Sequence, residues 1–185
     1  APEGCDVTQK TLTKVRPGHA DLTGLLKYDQ TDARNILERA SARETAVRVV
    51  AGSIARQYLK ELGVGISGYV KSVCGVTDSG LYEFEKLEEA KSQPLFMLNS
   101  GVQEKAIKKI DALKSTGDTA GGVIEIRVKG LKSGFGSCMQ YSSKLDAILC
   151  SALMSVQAIK GVEVGLGFGA AELEGSRVHD EIFCD

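Results

Sequence analysis

The sequence predicts an α+β fold in which helices pack between or against antiparallel sheets, a β-α-β sandwich. Two segments alternate apolar and polar residues with the period of a strand, and three segments repeat apolar residues with the period of a helix. The order of these segments lacks the regular βαβ units and phosphate loops of a doubly wound fold. A length of 185 residues suits one domain, so we expect a single domain over residues 1–185.

A turn near the start of the chain presents a histidine. Pro17-Gly18 is a turn dipeptide, and His19 follows it directly. A histidine on a turn is better placed for proton transfer than for packing, unlike one on an apolar helix face. His19 is therefore the candidate for acid–base chemistry.

The longest amphipathic helix is expected to begin at Ser41 and to end before Gly63. Ser41 and Glu44 have the spacing of a capping box, and glycine is favoured just beyond a helix C-terminus. The helical spacing is carried by the following apolar residues: Ala46, Val49, Val50, Ile54, Tyr58 and Leu62.

Two arginines flank the predicted helix N-terminus. Free backbone amides and the helix dipole favour an anion there, and Arg39 and Arg43 stand beside Ser41. This arrangement is a candidate phosphate or carboxylate site. The alternative is that the arginines form a solvated face and that the Ser41 motif is only a cap.

The middle of the chain alternates between strand and helix patterns. Residues 64–76 read as a strand, and a charged surface helix is expected over 82–91. Asn99 or Ser100 should cap a second helix that ends near Lys114. These elements form the first part of the predicted sheet and one of its covering helices.

The second half of the chain continues the same pattern. Residues 123–131 alternate charged and apolar side chains, which favours an antiparallel sheet with one wet face. A third helix is expected over 144–159 and a last strand over 162–168. The apolar residues of the third helix cover more than one face, so we expect it to be buried between layers.

Composition excludes several function classes. The net charge of −1 gives no reason to expect a nucleic-acid partner. We expect neither a signal peptide nor a membrane span, because the sequence has no charged-then-apolar leader and no long apolar run. The five scattered cysteines form no C-x-x-C pair, so we expect reduced thiols, a cytoplasmic protein and no metal site.

A glycine-rich motif near the end resembles a dinucleotide-binding fingerprint. Gly165, Gly167 and Ala170 fit G-x-G-x-x-A, but no adequate helix follows and no acidic ribose partner appears. We therefore interpret these glycines as packing residues. His179-Asp180 is not expected to bind a metal, because only one other histidine exists.

Several longer motifs resemble those of the chorismate synthase family. They occur in the family's order and extend from about Leu12 to the end of the chain: RPGHAD at 16–21, KY at 27–28, ERASARETA at 38–46, GD at 117–118, GGV at 121–123, ALMSVQAIKGVEVGLGF at 152–168 and GSRVHDE at 175–181.

The resemblance implies a carbon–oxygen lyase of the shikimate pathway and of aromatic amino acid biosynthesis. Members of this family remove phosphate and a proton from 5-enolpyruvylshikimate 3-phosphate by 1,4-anti elimination, giving chorismate. They require reduced FMN, although the reaction is redox-neutral overall. The family fold is a β-α-β sandwich, and the family assembly is a homotetramer.

The resemblance also implies roles for individual residues. His19 matches the family's active-site histidine in RPGHAD, which is taken to serve proton transfer at the flavin. Arg16 and Arg43 match contacts to substrate anions. Arg39, Ala40 and Ser41 match a triplet that contacts the flavin.

Family members are longer than this chain, and the resemblance covers the central part of their sequence. We therefore expect an incomplete form of the family domain, with part of the active site and of the flavin site. Ser142-Ser143 also stand where members of the family commonly have an Asp-Arg pair. Two functions stay open: a lyase completed by a neighbouring subunit or a complementing chain, and a non-catalytic homologue that serves as an anion-binding or oligomerisation module.

Overall fold

The computed structural model describes residues 11–183, and the chain divides into two compact units. One unit comprises the residues up to Gly52 together with those from Gly134 onward, and the other is Ser53–Ser133. The single domain expected over 1–185 stays a prediction. Two of the cysteines counted above, Cys5 and Cys184, lie outside the described residues.

A short helical hairpin follows the Pro17-Gly18 turn in the first unit. Helix α1 spans Asp21–Tyr28 and helix α2 spans Arg34–Ala40. A Cβ atom at Gly24 would lie 2.3 Å from Cγ2 of Ile36, so the absence of a side chain at Gly24 allows the two helices to pack closely. The sequence did not predict either helix, because each is short and buries only one or two residues.

Helix α3 spans Thr45–Glu61 and begins later than predicted. Ser41 instead caps a three-residue 3₁₀ helix, Ala42–Glu44, which precedes α3. None of the 17 residues of α3 is buried, although one buried face was expected. Four apolar side chains at helical spacing, here named the α3 stripe, are 64–72% exposed: Val47, Val50, Ile54 and Tyr58.

The second unit contains a three-stranded sheet of order β2-β1-β3. Strand β1 spans Gly65–Val73, β2 spans Val76–Thr77 and β3 spans Gly122–Lys129. Both strand pairs are antiparallel, which confirms the predicted sheet type. A register shift between Val70 and Ser72 marks a bulge in β1.

The sequence of β3 suggested a buried apolar face and an exposed charged face. The structure shows the opposite arrangement. A 3₁₀ helix, Phe84–Ser92, packs on β1 where the surface helix was expected, on the sheet face that also bears the charged side chains of β3. Ser67 on that face donates a hydrogen bond to Glu88 at 2.8 Å. The apolar side chains of the other face of β3 are about half exposed: Ile124, Ile126 and Val128.

The core of the second unit lies between β1 and the 3₁₀ helix. Tyr69, Leu87 and Ala90 are fully buried, or nearly so, and the Tyr69 and Tyr82 rings meet edge to face at 5.6 Å. The buried carboxylate of Asp78 accepts a hydrogen bond from the Tyr82 hydroxyl at 2.9 Å. A hydrogen-bonded aromatic core therefore holds this sheet.

Helix α4 spans Ser100–Ser115 and agrees with the predicted second helix. The side chain of Asn99 accepts a hydrogen bond from the backbone N–H of Val102 at 3.1 Å, so the predicted cap is confirmed. The helix buries Gln103 and Ala106.

The last part of the chain differs most from the prediction. Helix α5 spans only Leu145–Met154 and has no buried residue, although a longer buried helix was expected. The strand predicted over 162–168 does not form: residues 162–166 belong to no helix or strand, and a 3₁₀ helix, Gly167–Glu172, begins at its end. Ala158, Gly165 and Gly167 have φ values of 69°, 62° and 54°, and a left-handed backbone cannot continue as a strand. Within residues 11–183, no helix is both long and apolar enough to cross a membrane.

Candidate functional site

Among the predicted site residues, Arg16 forms a closed, hydrogen-bonded turn with Asp21. The Arg16 side chain donates to both carboxylate oxygens of Asp21, from Nε at 2.9 Å and from Nη2 at 3.0 Å. The Arg16 backbone N–H also donates to Asp21 Oδ2, at 3.1 Å. A fork of this kind fixes the plane of the guanidinium group as well as its position.

His19 lies at the exposed apex of this turn. Gly18 has a φ of 72°, a left-handed conformation that glycine adopts without strain, and the backbone N–H of His19 donates to the Arg16 carbonyl oxygen at 3.4 Å. The imidazole is therefore solvent-accessible on a turn that is closed by hydrogen bonds. The prediction that His19 is presented rather than packed is confirmed.

The ion pair between Arg16 and Asp21 shifts the pKa of both side chains. The hydrogen bond from Arg16 lowers the pKa of the Asp21 carboxyl to about 2, against the opposing effect of its burial, and His19 adds a smaller effect in the same direction. The hydrogen bond to Asp21 raises the pKa of Arg16, and the charge of Glu38 contributes to this rise. Asp21 is fully buried whereas part of the Arg16 side chain stays exposed, so Arg16 keeps N–H groups available to a ligand.

The second group of predicted residues lies where α2 ends. Ser41 has an extended backbone, and its hydroxyl accepts a hydrogen bond from the backbone N–H of Arg43 at 3.3 Å. Glu44 does not complete the capping box, because its side chain binds Arg48 at 3.0 Å instead. Since Ser41 caps only three residues, the dipole contribution expected at this position is small.

Arg43 is the most accessible of the predicted substrate-binding arginines. Its side chain is 74% exposed and forms an ion pair with Glu38, with Nη1 and Oε1 2.8 Å apart. Glu38 also acts on the pKa of Arg16, so its carboxylate is within electrostatic range of both arginines. The structure thus links the predicted substrate arginines through one acidic residue.

Arg39 and Ala40 line a cleft between α1 and α2 with a volume of about 630 Å³. Ala20, the residue after His19, lines the same cleft. Within the described part of the chain, Arg39 has no carboxylate partner. The predicted flavin-contacting triplet therefore offers one free cation beside a concave surface.

Sequence reasoning missed two residues that organise this region. Asp21 anchors Arg16, and Glu38 holds Arg43. An acidic residue five positions from an arginine, which is the spacing of both pairs, was a signal that could have drawn attention to them. Two residues five positions apart in a turn need not be in contact, so the distances in the folded chain were needed to identify these pairs.

Comparisons with known proteins agree with the resemblance. The model of the chorismate synthase family matches residues 6–185. A chorismate synthase of Oceanobacillus iheyensis is 49% identical over 180 residues, which is 96% of this chain and 46% of that protein. A chorismate synthase of Desulforamulus reducens is 50% identical over 95% of this chain and 46% of its own length.

A solved structure supports the same relationship at the level of the fold. A crystal structure of chorismate synthase superposes with a TM-score of 0.84 at 42% identity. The match covers 90% of this chain and 53% of that chain. The chain thus spans about half the length of the relatives it matches.

Proposed function

Because the chain belongs to the chorismate synthase family, we propose that it contributes to a lyase that eliminates phosphate from 5-enolpyruvylshikimate 3-phosphate to give chorismate. The observation that carries this proposal is the Arg16–Asp21 turn, which holds a guanidinium group and an accessible histidine next to one another. Such a turn suits a reaction that binds an anion and moves a proton.

The substrate is a phosphate monoester that also carries two carboxylates, so its binding requires several cations. Arg16 is proposed to contact it with the N–H groups that Asp21 does not use. Arg43 is proposed to exchange Glu38 for a substrate anion, because their exposed ion pair contributes little to stability. Charge-assisted hydrogen bonds of this kind fix the orientation of the substrate.

His19 is proposed to hold or move a proton. In the overall reaction a C–O bond breaks, phosphate leaves with the electron pair, and a proton is lost from carbon as a new double bond forms. An imidazole side chain can act as a general acid or as a general base. The buried Asp21 keeps this turn closed.

The flavin is proposed to be FMN in its reduced form, held in part by Arg39, Ala40 and Ser41. The residues fit an anionic cofactor, because Arg39 is a cation with no carboxylate partner within residues 11–183 and lies beside a cleft. When bound, reduced FMN would supply electron density to the elimination, which is redox-neutral overall. Arg39 would bind the cofactor, and the small Ala40 would allow its close approach.

The chain is proposed to work as a cytoplasmic homo-oligomer or with a complementing chain. The α3 stripe and the apolar side chains of β3 are exposed to solvent, and contiguous exposed apolar surface is typical of protein interfaces. The same observation favours a second candidate function, in which the chain is a non-catalytic module for anion binding and oligomerisation.

Titration calorimetry with 5-enolpyruvylshikimate 3-phosphate, in the presence and absence of FMN, tests the proposal. We expect saturable binding that FMN strengthens. Binding without turnover would favour the non-catalytic module, whereas a folded protein that binds neither ligand would contradict both functions.

A further inference from the structure

The cleft between α1 and α2 has a second cation that none of the proposed roles uses. Lys27 lies in the last turn of α1 and lines the cleft together with Arg39. We propose that this cleft binds the phosphate group of a small phosphate monoester and that Lys27 and Arg39 together hold it. The cleft adjoins the proposed flavin contacts because Arg39 belongs to both, but Lys27 is outside them.

The charge of the cleft supports an anionic ligand. None of the residues that line the cleft is acidic, whereas two of them are cations. Nearby carboxylates are occupied elsewhere: Asp21 binds Arg16, Glu38 binds Arg43, and Asp32 accepts hydrogen bonds from backbone N–H groups. Asp29 follows α1 but does not line the cleft.

Neither cation has its charge neutralised among the described residues. Lys27 Nζ lies over the ring of Tyr28, 5.4 Å from the ring centroid, and has no carboxylate partner. Two uncompensated positive charges match a phosphate monoester, which carries about −1.5 to −2 at neutral pH. A monocarboxylate carries one negative charge and would leave about one of the two positive charges without a counter-charge.

The walls of the cleft suit a ligand with an apolar body. Ile36 and Ala40 provide apolar surface, and Ile36 is locked against Gly24. Asn35 Nδ2 donates to Gln30 Oε1 at 2.8 Å, so a side-chain hydrogen bond ties the chain after α1 to α2. The volume of about 630 Å³ lies in the range for small-molecule sites. The cleft is therefore formed before any ligand arrives.

Phenyl phosphate is the probe that tests this site, and benzoate is the matching monoanion with the same ring. The binding of each to the full chain is measured by calorimetry and by chemical-shift changes in an NMR titration. We expect phenyl phosphate to bind more tightly than benzoate and to shift resonances of α1 and α2. A folded protein that does not bind phenyl phosphate would overturn the proposal, as would equal affinity for both probes.

The variant Lys27→Gln removes the charge, and we expect it to weaken phenyl phosphate binding about tenfold, or about 1.4 kcal/mol. Lys27→Arg keeps the charge and should restore most of the affinity. Lys114→Gln is the matched control, because Lys114 is an exposed lysine in the last turn of α4. Unchanged affinity in Lys27→Gln, or an equal loss in the control, would contradict the assignment.

These titrations do not depend on chorismate formation. A chain that fails to turn over substrate but loses phenyl phosphate binding in Lys27→Gln would retain this site and lose the proposed function. The reverse outcome would retain the proposed function and remove this site.

Discussion

Asp21 is the residue on which the geometry of the candidate site depends. It is fully buried, and all of the described hydrogen bonds to its carboxylate come from Arg16. Its pKa of about 2 in the folded chain lies below the ordinary value of 3.8. A carboxyl with a depressed pKa stabilises the fold above its unfolded pKa, and this stabilisation is lost as the pH falls through the folded value.

We therefore expect acid to weaken the fold through Asp21 between about pH 4 and pH 2. Asp21→Asn should remove that part of the pH dependence and lower the stability at pH 7. Urea unfolding at a series of pH values measures both effects. Asp111→Asn, an exposed position on α4, is the control and should keep the wild-type pH dependence. An Asp21→Asn curve parallel to that of the wild type would contradict the anchoring role.

A substitution at Arg43 tests substrate binding separately from the stability of the fold. Arg43→Ala should weaken the binding of 5-enolpyruvylshikimate 3-phosphate by about 1–3 kcal/mol, the scale of a lost charged hydrogen bond. The melting temperature should hardly change, because the pair with Glu38 is exposed.

Arg56→Ala is the matched control for this variant. Arg56 is also an exposed arginine paired with a glutamate, Glu88, at 3.0 Å, but it lies in the other unit. We expect the control to keep full affinity. Equal affinities of both variants for the substrate would show that Arg43 is not a substrate contact.

At the scale of elements, the N-cap of α4 makes the clearest prediction. Asn99→Ala removes the acceptor for the Val102 N–H and should lower the free energy of unfolding by about 1 kcal/mol. Ser115→Ala, at the other end of the same helix, should change it by less than about 0.5 kcal/mol. Chemical denaturation followed by circular dichroism measures both, and equal effects would mean that the cap contributes nothing specific.

The elements that could be predicted from sequence are those with strong local patterns. Strands β1 and β3 alternate over many residues, and α4 combines a cap with a long apolar repeat, so their positions were predicted closely. Helices α1 and α2 lack such a repeat. The prediction of a last strand was wrong because Gly165 and Gly167 have left-handed backbone conformations, and composition does not specify φ angles.

At the scale of the whole molecule, exposed apolar surface is the dominant feature. The α3 stripe is exposed to solvent, and such a surface favours self-association. We expect sedimentation velocity to show concentration-dependent oligomers of the wild-type chain. A protein that stays monomeric over the accessible concentration range would contradict this expectation.

Ile54→Glu places a charge in the middle of the stripe and should weaken association at least about tenfold, because one buried isoleucine contributes about 1.5–3 kcal/mol. Leu81→Glu is the control, since Leu81 is an isolated leucine that is 97% exposed in a loop. A similar effect of both substitutions would mean that association does not use α3.

The mixed helix-and-sheet fold and the family could be predicted from the sequence, because periodicity and long motifs are local in the chain. Which faces become covered could not be predicted. The 3₁₀ helix Phe84–Ser92 packs on β1 and covers the sheet face that bears the charged side chains of β3, a tertiary contact that overrides the usual burial of apolar side chains. The roles of Asp21 and Glu38 likewise depend on distances that only the folded chain provides.

The most direct test of the proposed function is an anaerobic turnover assay with reduced FMN and 5-enolpyruvylshikimate 3-phosphate, in which chorismate formation is measured. The chain has only two histidines, so His179→Ala is the matched control for His19→Ala. We predict that the wild type and His179→Ala form chorismate at equal rates and that His19→Ala is slower by about 10²–10⁴-fold. Equal rates in all three proteins would contradict the role proposed for the Arg16–Asp21 turn, and no product from a folded wild-type chain would contradict an active homo-oligomer.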